Sequence, residues 1–353
     1  MAFSDSDSHV NDMNNEHVQL KQVIQRQIQQ YKPTEKPDLM TTIQNIQAGA
    51  KTGSTKALAF YGLSGLGKAE IEHLAPEWET LDAEYREKLV RRLAEATETN
   101  FELDYHNIGL FATYDSSPLV REAAIDVLWE DETIEVMDRF IELAADDQSV
   151  TVRAAALKAI ERFILKGELG EIPESETVRA QQLAVAVLKA EHEPTEVRRR
   201  ALEALANCSH EMVTGAIKKA YRAEDRTMKL GAVYAMGRTC DDRWESTVMA
   251  ELDSEDAEMR FEAARAAGEL QLGAAVPKLG QLVAEEDAEI QDMAVWSLGE
   301  IGGREAMRIL RAVLDLAEAN EDDDLISAVE DAIGNASIAG GDLFGDIDTE
   351  DFS

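Results

Sequence analysis

A period of 31 residues constrains what this chain can fold into more than any other feature. Segments aligned at Arg198, Lys229, Arg260 and Gln291 begin 31 residues apart. Three positions on stand Ala201, Ala232, Ala263 and Ala294, and six positions on Ala204, Ala235, Ala266 and Ser297. The next position holds Leu205, Met236, Ala267 and Leu298, and the one after it has glycine in three of the four: Gly237, Gly268 and Gly299. Self-similarity at periods of about 20–50 residues marks stacked supersecondary units, each burying its apolar face on the next. The phase continues less strictly upstream through Arg153, Arg121, Arg86 and Lys56 and downstream to Ile326, which makes nine phase points. One step, from Arg153 to Arg198, is 45 residues long; it contains Gly167 to Glu176 and reads as a loop insertion.

Within a unit, Asp256 precedes a run through Met259, Ala263, Ala266, Ala267 and Leu270, apolar at helical spacing. Asp225, Asp256 and Asp287 share that position, where a carboxylate accepts from free amides of the first turn and contributes about 1 kcal/mol over alanine. The glycines near the ends of the runs read as left-handed helix stops. A second apolar run follows, Val276, Leu279 and Leu282 in one unit, and no segment alternates as a strand does. Small residues on the first run let helix axes approach to the short end of the usual separation of roughly 8–10 Å. The expected fold is all-α: an α-solenoid of about nine helix–turn–helix repeats over residues 38–337. Residues 1–37 are expected to be a disordered N-terminus with a short amphipathic helix through Val18, Val23, Ile24, Ile28 and Tyr31, and residues 338–353 an acidic disordered tail.

The pattern of Asp, hydrophobic, Arg/Lys, then Ala, Ala, Leu/Met and Gly resembles the short HEAT-like repeats named after phycobilin lyases, best in Asp256–Leu282 and Asp287–Leu314. The resemblance covers about residues 53–337 and implies a superhelical surface for protein–protein contact, without catalysis in most members. It also implies a sharper setting. In salt-loving archaea, proteins of this kind accompany taxis proteins and connect signalling to the archaellum. The alternative within the same resemblance is a lyase-like subunit that binds or attaches an open-chain tetrapyrrole.

Charge narrows the partners. Seventy Asp and Glu stand against 35 Lys and Arg, a net charge of −35. Nucleic acid is disfavoured because its affinity rests on basic residues displacing counterions from phosphate, and an anionic membrane is disfavoured by the same sign. No run is long enough to span a bilayer. The start lacks a basic, apolar leader, and two cysteines, Cys208 and Cys240, make no disulfide framework; both point to the cytoplasm. Acid is spread over the whole chain and lysine is scarce, 14 against 21 arginines, which favours a high-salt cytosol over a single basic partner.

Candidate chemistry is sparse. Gly62 to Lys68 has the spacing of a phosphate loop, but Ala69 stands where the magnesium-binding hydroxyl belongs and the segment is in helical phase. His192-Glu193 and His210-Glu211 are out of phase with each other, so converging metal ligation is not expected. No catalytic residue, metal site or cofactor is expected. The phase-point bases read as a structural ladder. Arg304, Arg308 and Arg311 share one helix face, and Lys218, Lys219 and Arg222 form a second basic group. In so acidic a chain these are the expected partner-binding residues. Leu343, Phe344, Ile347 and Phe352 in the acidic tail are the expected docking residues. Trp78 and Trp244 read as core.

Overall fold

The structure is a computed structural model and describes residue 33 and residues 35–339. Among the described residues there are eighteen α-helices, two short 3-10 turns and no strand. The chain divides into two compact units, residues 1–163 and 164–353.

The first unit holds α1 (Leu39–Thr52), α2 (Ala57–Leu63), α3 (Lys68–Glu79), α4 (Ala83–Thr99), α5 (His106–Ala112), α6 (Pro118–Val127), α7 (Ile134–Asp146) and most of α8 (Val150–Glu168). Asp38, Asp82 and Thr133 start helices by accepting amides of the first turn, and Pro118 opens α6, where its missing N–H costs nothing. Arg86 and Arg121 fall on α4 and α6, first helices of adjacent pairs that pack on each other. Their inward residues, Leu89, Leu93, Val120, Ala124 and Val127, join Phe60, Leu63 and Trp78 in one core.

The second unit holds α9 (Glu174–Lys189), α10 (Thr195–Leu205), α11 (Val213–Tyr221), α12 (Arg226–Arg238), α13 (Glu245–Glu251), α14 (Ala257–Glu269), α15 (Val276–Leu282), α16 (Ala288–Ile301), α17 (Gly303–Asn320) and α18 (Asp323–Ala339). First helices α10, α12, α14, α16 and α18 stack in chain order. The paired small residues, from Ala201 and Ala204 to Ala294 and Ser297, are all completely buried at 0% exposure. Serine replaces alanine at the last place without an orphaned hydroxyl, because Ser297 Oγ donates to Ala264 O on the preceding first helix at 2.8 Å. Asp225, Asp256 and Asp287 each accept first-turn amides as their spacing predicts. In both units helix pairs stack as an α-solenoid.

Two expectations need correction. The 45-residue step is not a loop insertion: α8 and α9 are 19 and 16 residues long, and only residues 169–173 lie between them. Nor do Gly237, Gly268 and Gly299 stop their helices. They lie inside α12, α14 and α16, where a Cβ would stand 2.8 Å from Ala266 Cα, 2.9 Å from Ser297 Cα and 2.9 Å from Ala332 Cα. Their function is close helix contact. The left-handed residues come three places later, at Cys240, Gln271 and Gly302, with φ of 49°, 51° and 65°.

Two substitutions then have opposite signs. Gly268→Ala forces a methyl against backbone and costs about 1–3 kcal/mol. Gln271→Gly relieves a left-handed non-glycine residue and gains about 1 kcal/mol. Shifts of the urea midpoint in opposite directions are expected.

Candidate protein-binding surface

Four of the phase-point bases, Arg86, Arg121, Lys229 and Arg260, are committed to the fold by ion pairs. On α4, Arg86 donates to both carboxylate oxygens of Asp115 at 2.8 and 2.9 Å and to the Leu81 carbonyl. Arg121 on α6 repeats the arrangement with Asp147, 2.7 Å to each oxygen, and with Asp115 O at 2.9 Å. In the second unit, Arg260 on α14 donates to Glu285 at 3.0 and 2.7 Å and to Ser254 O at 2.9 Å. Each guanidinium ties the turn before its helix to an acid in the turn after the second helix. Lys229 pairs instead with Glu251, the last residue of the second helix α13, at 2.9 Å. Asp115 also accepts from Trp78 Nε1 at 2.7 Å and Ser117 N at 2.8 Å. Burial pushes its carboxyl up, but the hydrogen bonds from Arg86, Ser117 and Trp78 outweigh it and the pKa ends below the ordinary value. Asp147 follows the same balance with Arg121 and Ser149.

The candidate bases behave differently. Arg304, Arg308 and Arg311 are exposed on the first turns of α17. Arg308 pairs with Glu305 of its own helix at 3.0 Å, while Arg304 and Arg311 have no ion pair with any described residue. Lys218 and Lys219, exposed in the last turn of α11, and Arg222 just beyond it also lack an ion pair among the described residues. Cations at a helix C-terminus are favoured by its dipole, so the α11 group has a local reason to exist; the α17 group, at an N-terminal end, does not. The two groups belong to repeats three steps apart and form two surfaces. Leu343, Phe344, Ile347 and Phe352 lie outside the described residues, as does the expected helix over 17–31.

A further surface escaped the sequence reading. In the first unit α6 has ten residues between α4 with 17 and α8 with 19. A groove of about 360 Å³ opens across these three helices, floored by Ile125 and Ala159, walled by Trp129 and edged by Arg91 and Lys158. The Trp129 ring is half-exposed, and the Arg162 guanidinium lies 5.6 Å from its centre and 4.6 Å from that of Phe163. Burial pulls the pKa of Arg162 down to about 10. Trp129 follows the end of α6 at the eighth position past Arg121, where Gly237, Gly268 and Gly299 stand in the second unit, so the repeat pattern predicts a small residue there and not a half-exposed ring. Trp78 and Trp244 are buried, as their reading as core residues requires.

The family described as HEAT repeats matches residues 245–334. HEAT repeats are thereby shown for this stretch of the second unit. No curated protein matches it. Solved structures similar to it include an engineered protein, 19% identical over 58% of this chain and 98% of that one, with a TM-score of 0.36. Human deoxyhypusine hydroxylase is 16% identical over 85% of this chain and 98% of its own, with a TM-score of 0.34. Importin beta is 11% identical over 85% of this chain and 46% of its own, with a TM-score of 0.41. None of these assigns an activity or a partner to this chain.

Other motifs of the sequence have structural explanations. Gly62 is buried in α2 against Thr42, and Lys68 opens α3, so the phosphate-loop spacing lies in a helical hairpin with no preceding strand. His192 is exposed in the turn before α10, whereas His106 contacts Asp131. Cys208 is buried and Cys240 exposed, both as free thiols.

The ladder predicts the response to acid. Asp115 and Asp147 have lowered folded pKa values, so their stabilisation is complete above the unfolded value of about 3.9 and is lost as pH falls below it. Asp115→Ala leaves Arg86 buried without its counter-charge and costs about 3–5 kcal/mol at neutral pH. Urea titrations at pH 7 and pH 3 are expected to show a much smaller difference between wild type and variant at the lower pH.

Proposed function

We propose that this HEAT solenoid is a non-catalytic adaptor that binds other proteins, with Arg304, Arg308 and Arg311 as its principal contact and Lys218, Lys219 and Arg222 as a second. The observation that carries this reading is the state of the α17 arginines. In a chain with twice as many acids as bases, Arg304 and Arg311 stand exposed without an ion pair to any described residue. Other arginines, such as Arg86, Arg121 and Arg260, are consumed by bidentate pairs inside the fold. A surface that keeps cations out of internal pairs suits a partner with an acidic face, and opposite charge steers that encounter.

The solenoid occupies residues 38–337 in this reading, flanked by residues 1–37 and 338–353, and it works in the cytoplasm. The finer proposal names the partners as taxis signalling proteins and archaellum components of a halophilic archaeon. Its support is the resemblance of the repeat motif and an acid content suited to concentrated salt.

The test is capture of partners in molar potassium chloride by wild type and by the triple variant Arg304→Glu, Arg308→Glu, Arg311→Glu. Exposed substitutions of this kind shift stability by under about 0.5 kcal/mol each, so helicity should be unchanged. Capture is expected to fall about tenfold, the effect of losing roughly 1.4 kcal/mol. Unchanged capture with intact helicity removes α17 from the reading. A visible absorption band in the purified protein would replace the adaptor with the tetrapyrrole-binding alternative.

A further inference from the structure

We infer that the acidic segment 340–353 of this same chain docks on the arginine stripe of α17 and covers it until a partner displaces it. The inference shares its surface with the adaptor reading and rests on it for the meaning of displacement, though the docking itself needs no partner.

The path of the chain brings the segment to the stripe. Glu321, left-handed with a φ of 57°, and Asp322 reverse the chain between α17 and α18, which pack against each other. α18 then runs beside α16: a Cβ on Gly299 would stand 2.9 Å from Ala332 Cα, and Asn335 Nδ2 donates to Glu300 at 3.4 Å. Residues late in α18 therefore lie level with the end of α16. There α17 begins, two residues after Ile301. The chain leaves Ala339 at the Arg304 end of α17.

Chemistry matches position. Residues 340–353 contain Asp342, Asp346, Asp348, Glu350 and Asp351, no basic residue, and the apolar Leu343, Phe344, Ile347 and Phe352. Arg304, Arg308 and Arg311 supply the cations. Apolar contact is available along the same helix at Ile309 and Val313, both partly exposed. Arg304 to Arg311 spans about 10 Å and Arg304 to Val313 about 14 Å at the helical rise. Fourteen residues reach about 46 Å when extended, so length does not limit the contact. Direction is set by charge: Asp315 and Glu318 repel an acidic segment from the later turns and leave it the arginine end. Tethering supplies the rest, since a segment attached so close has an effective concentration of about millimolar, even if each contact is weak.

The test uses the full chain and chymotrypsin, following release of residues 345–353 by cleavage after Phe344. Cleavage should be at least about tenfold slower than in a free peptide of residues 340–353, the protection expected if the tethered segment is bound about nine-tenths of the time. In the triple variant Arg304→Glu, Arg308→Glu, Arg311→Glu it should return to within about twofold of the peptide, with the circular dichroism unchanged. Triple lysine replacement should retain most of the protection. Cleavage of the wild type as fast as the peptide overturns the inference, and so does protection that survives charge reversal. Protection that rises with protein concentration places the segment on a second copy and also overturns it. None of these readings involves a partner, so the adaptor proposal stands or falls separately on capture by the charge-reversed chain.

Discussion

The second unit depends on how closely its first helices approach one another. Gly237, Gly268 and Gly299 face the backbone of the next first helix at distances that no side chain tolerates, and the buried alanines on either side allow the same spacing. Side chains this small contribute little apolar area of their own. They stabilise by bringing two helices into dense contact and by letting larger residues such as Leu298, Met236 and Leu205 fill the layer beside them. The cost is intolerance, since one methyl at Gly268 has nowhere to go. Close stacking also fixes the register of the turns, and that register sets each guanidinium of the ladder between a carbonyl and a carboxylate.

The ladder is not the only place where charge is spent internally. Across α10, α12 and α14, Arg199 pairs with Glu203 at 2.6 Å and reaches Glu262 at 3.5 Å, while Arg200 bridges Glu196 and Glu203. Arg265 pairs with Glu262 at 2.7 Å and stacks 3.6 Å over Tyr234, and Arg238 joins Asn207 to Glu269. Gly231 leaves the space that the Arg199 stem fills, 2.7 Å from where a Cβ would be. Isolated surface pairs contribute little, but a network sharing carboxylates holds its members in place and satisfies groups as buried as Glu203. Arginine suits this because its planar fork meets two acceptors at once.

How much was legible in the sequence follows from what repeats. The Asp caps, the alanine pairs and the first helices were readable because each recurs every 31 residues in the second unit, and a cap or a contact needs one residue type at one place. The glycine position was readable but its purpose was not: a glycine near a helix end serves equally for a left-handed stop or for contact, and only the neighbouring helix decides. Cys240 and Gln271 gave no hint of φ near +50°, because their side chains do not favour it. The 45-residue step misled because Gly167 and Gly170 look like loop, yet Gly167 is within α8 facing Thr177. The groove beside Trp129 depends on the unequal lengths of α4, α6 and α8, which a phase alignment averages away.

The same contrast gives the α17 arginines their meaning. The basic residue at the phase point is predictable because the fold uses it in repeat after repeat, at Arg86, Arg121, Lys229 and Arg260, and a residue that the fold uses is unavailable to a partner. Gln291, at the phase point of α16, keeps the structural contact without charge by donating from its side-chain amide to Val283 O at 2.8 Å. The positive charge of that repeat stands instead on the second helix, at Arg304, Arg308 and Arg311. Exposed, and without an ion pair to any described residue, Arg304 and Arg311 keep their rotamer freedom and most of their hydration, while Arg308 is held by Glu305 of its own helix. An acidic segment that orders them must supply several contacts at once, since each exposed pair alone is worth under about 1 kcal/mol. That requirement selects an occupant carrying both closely spaced acids and apolar residues.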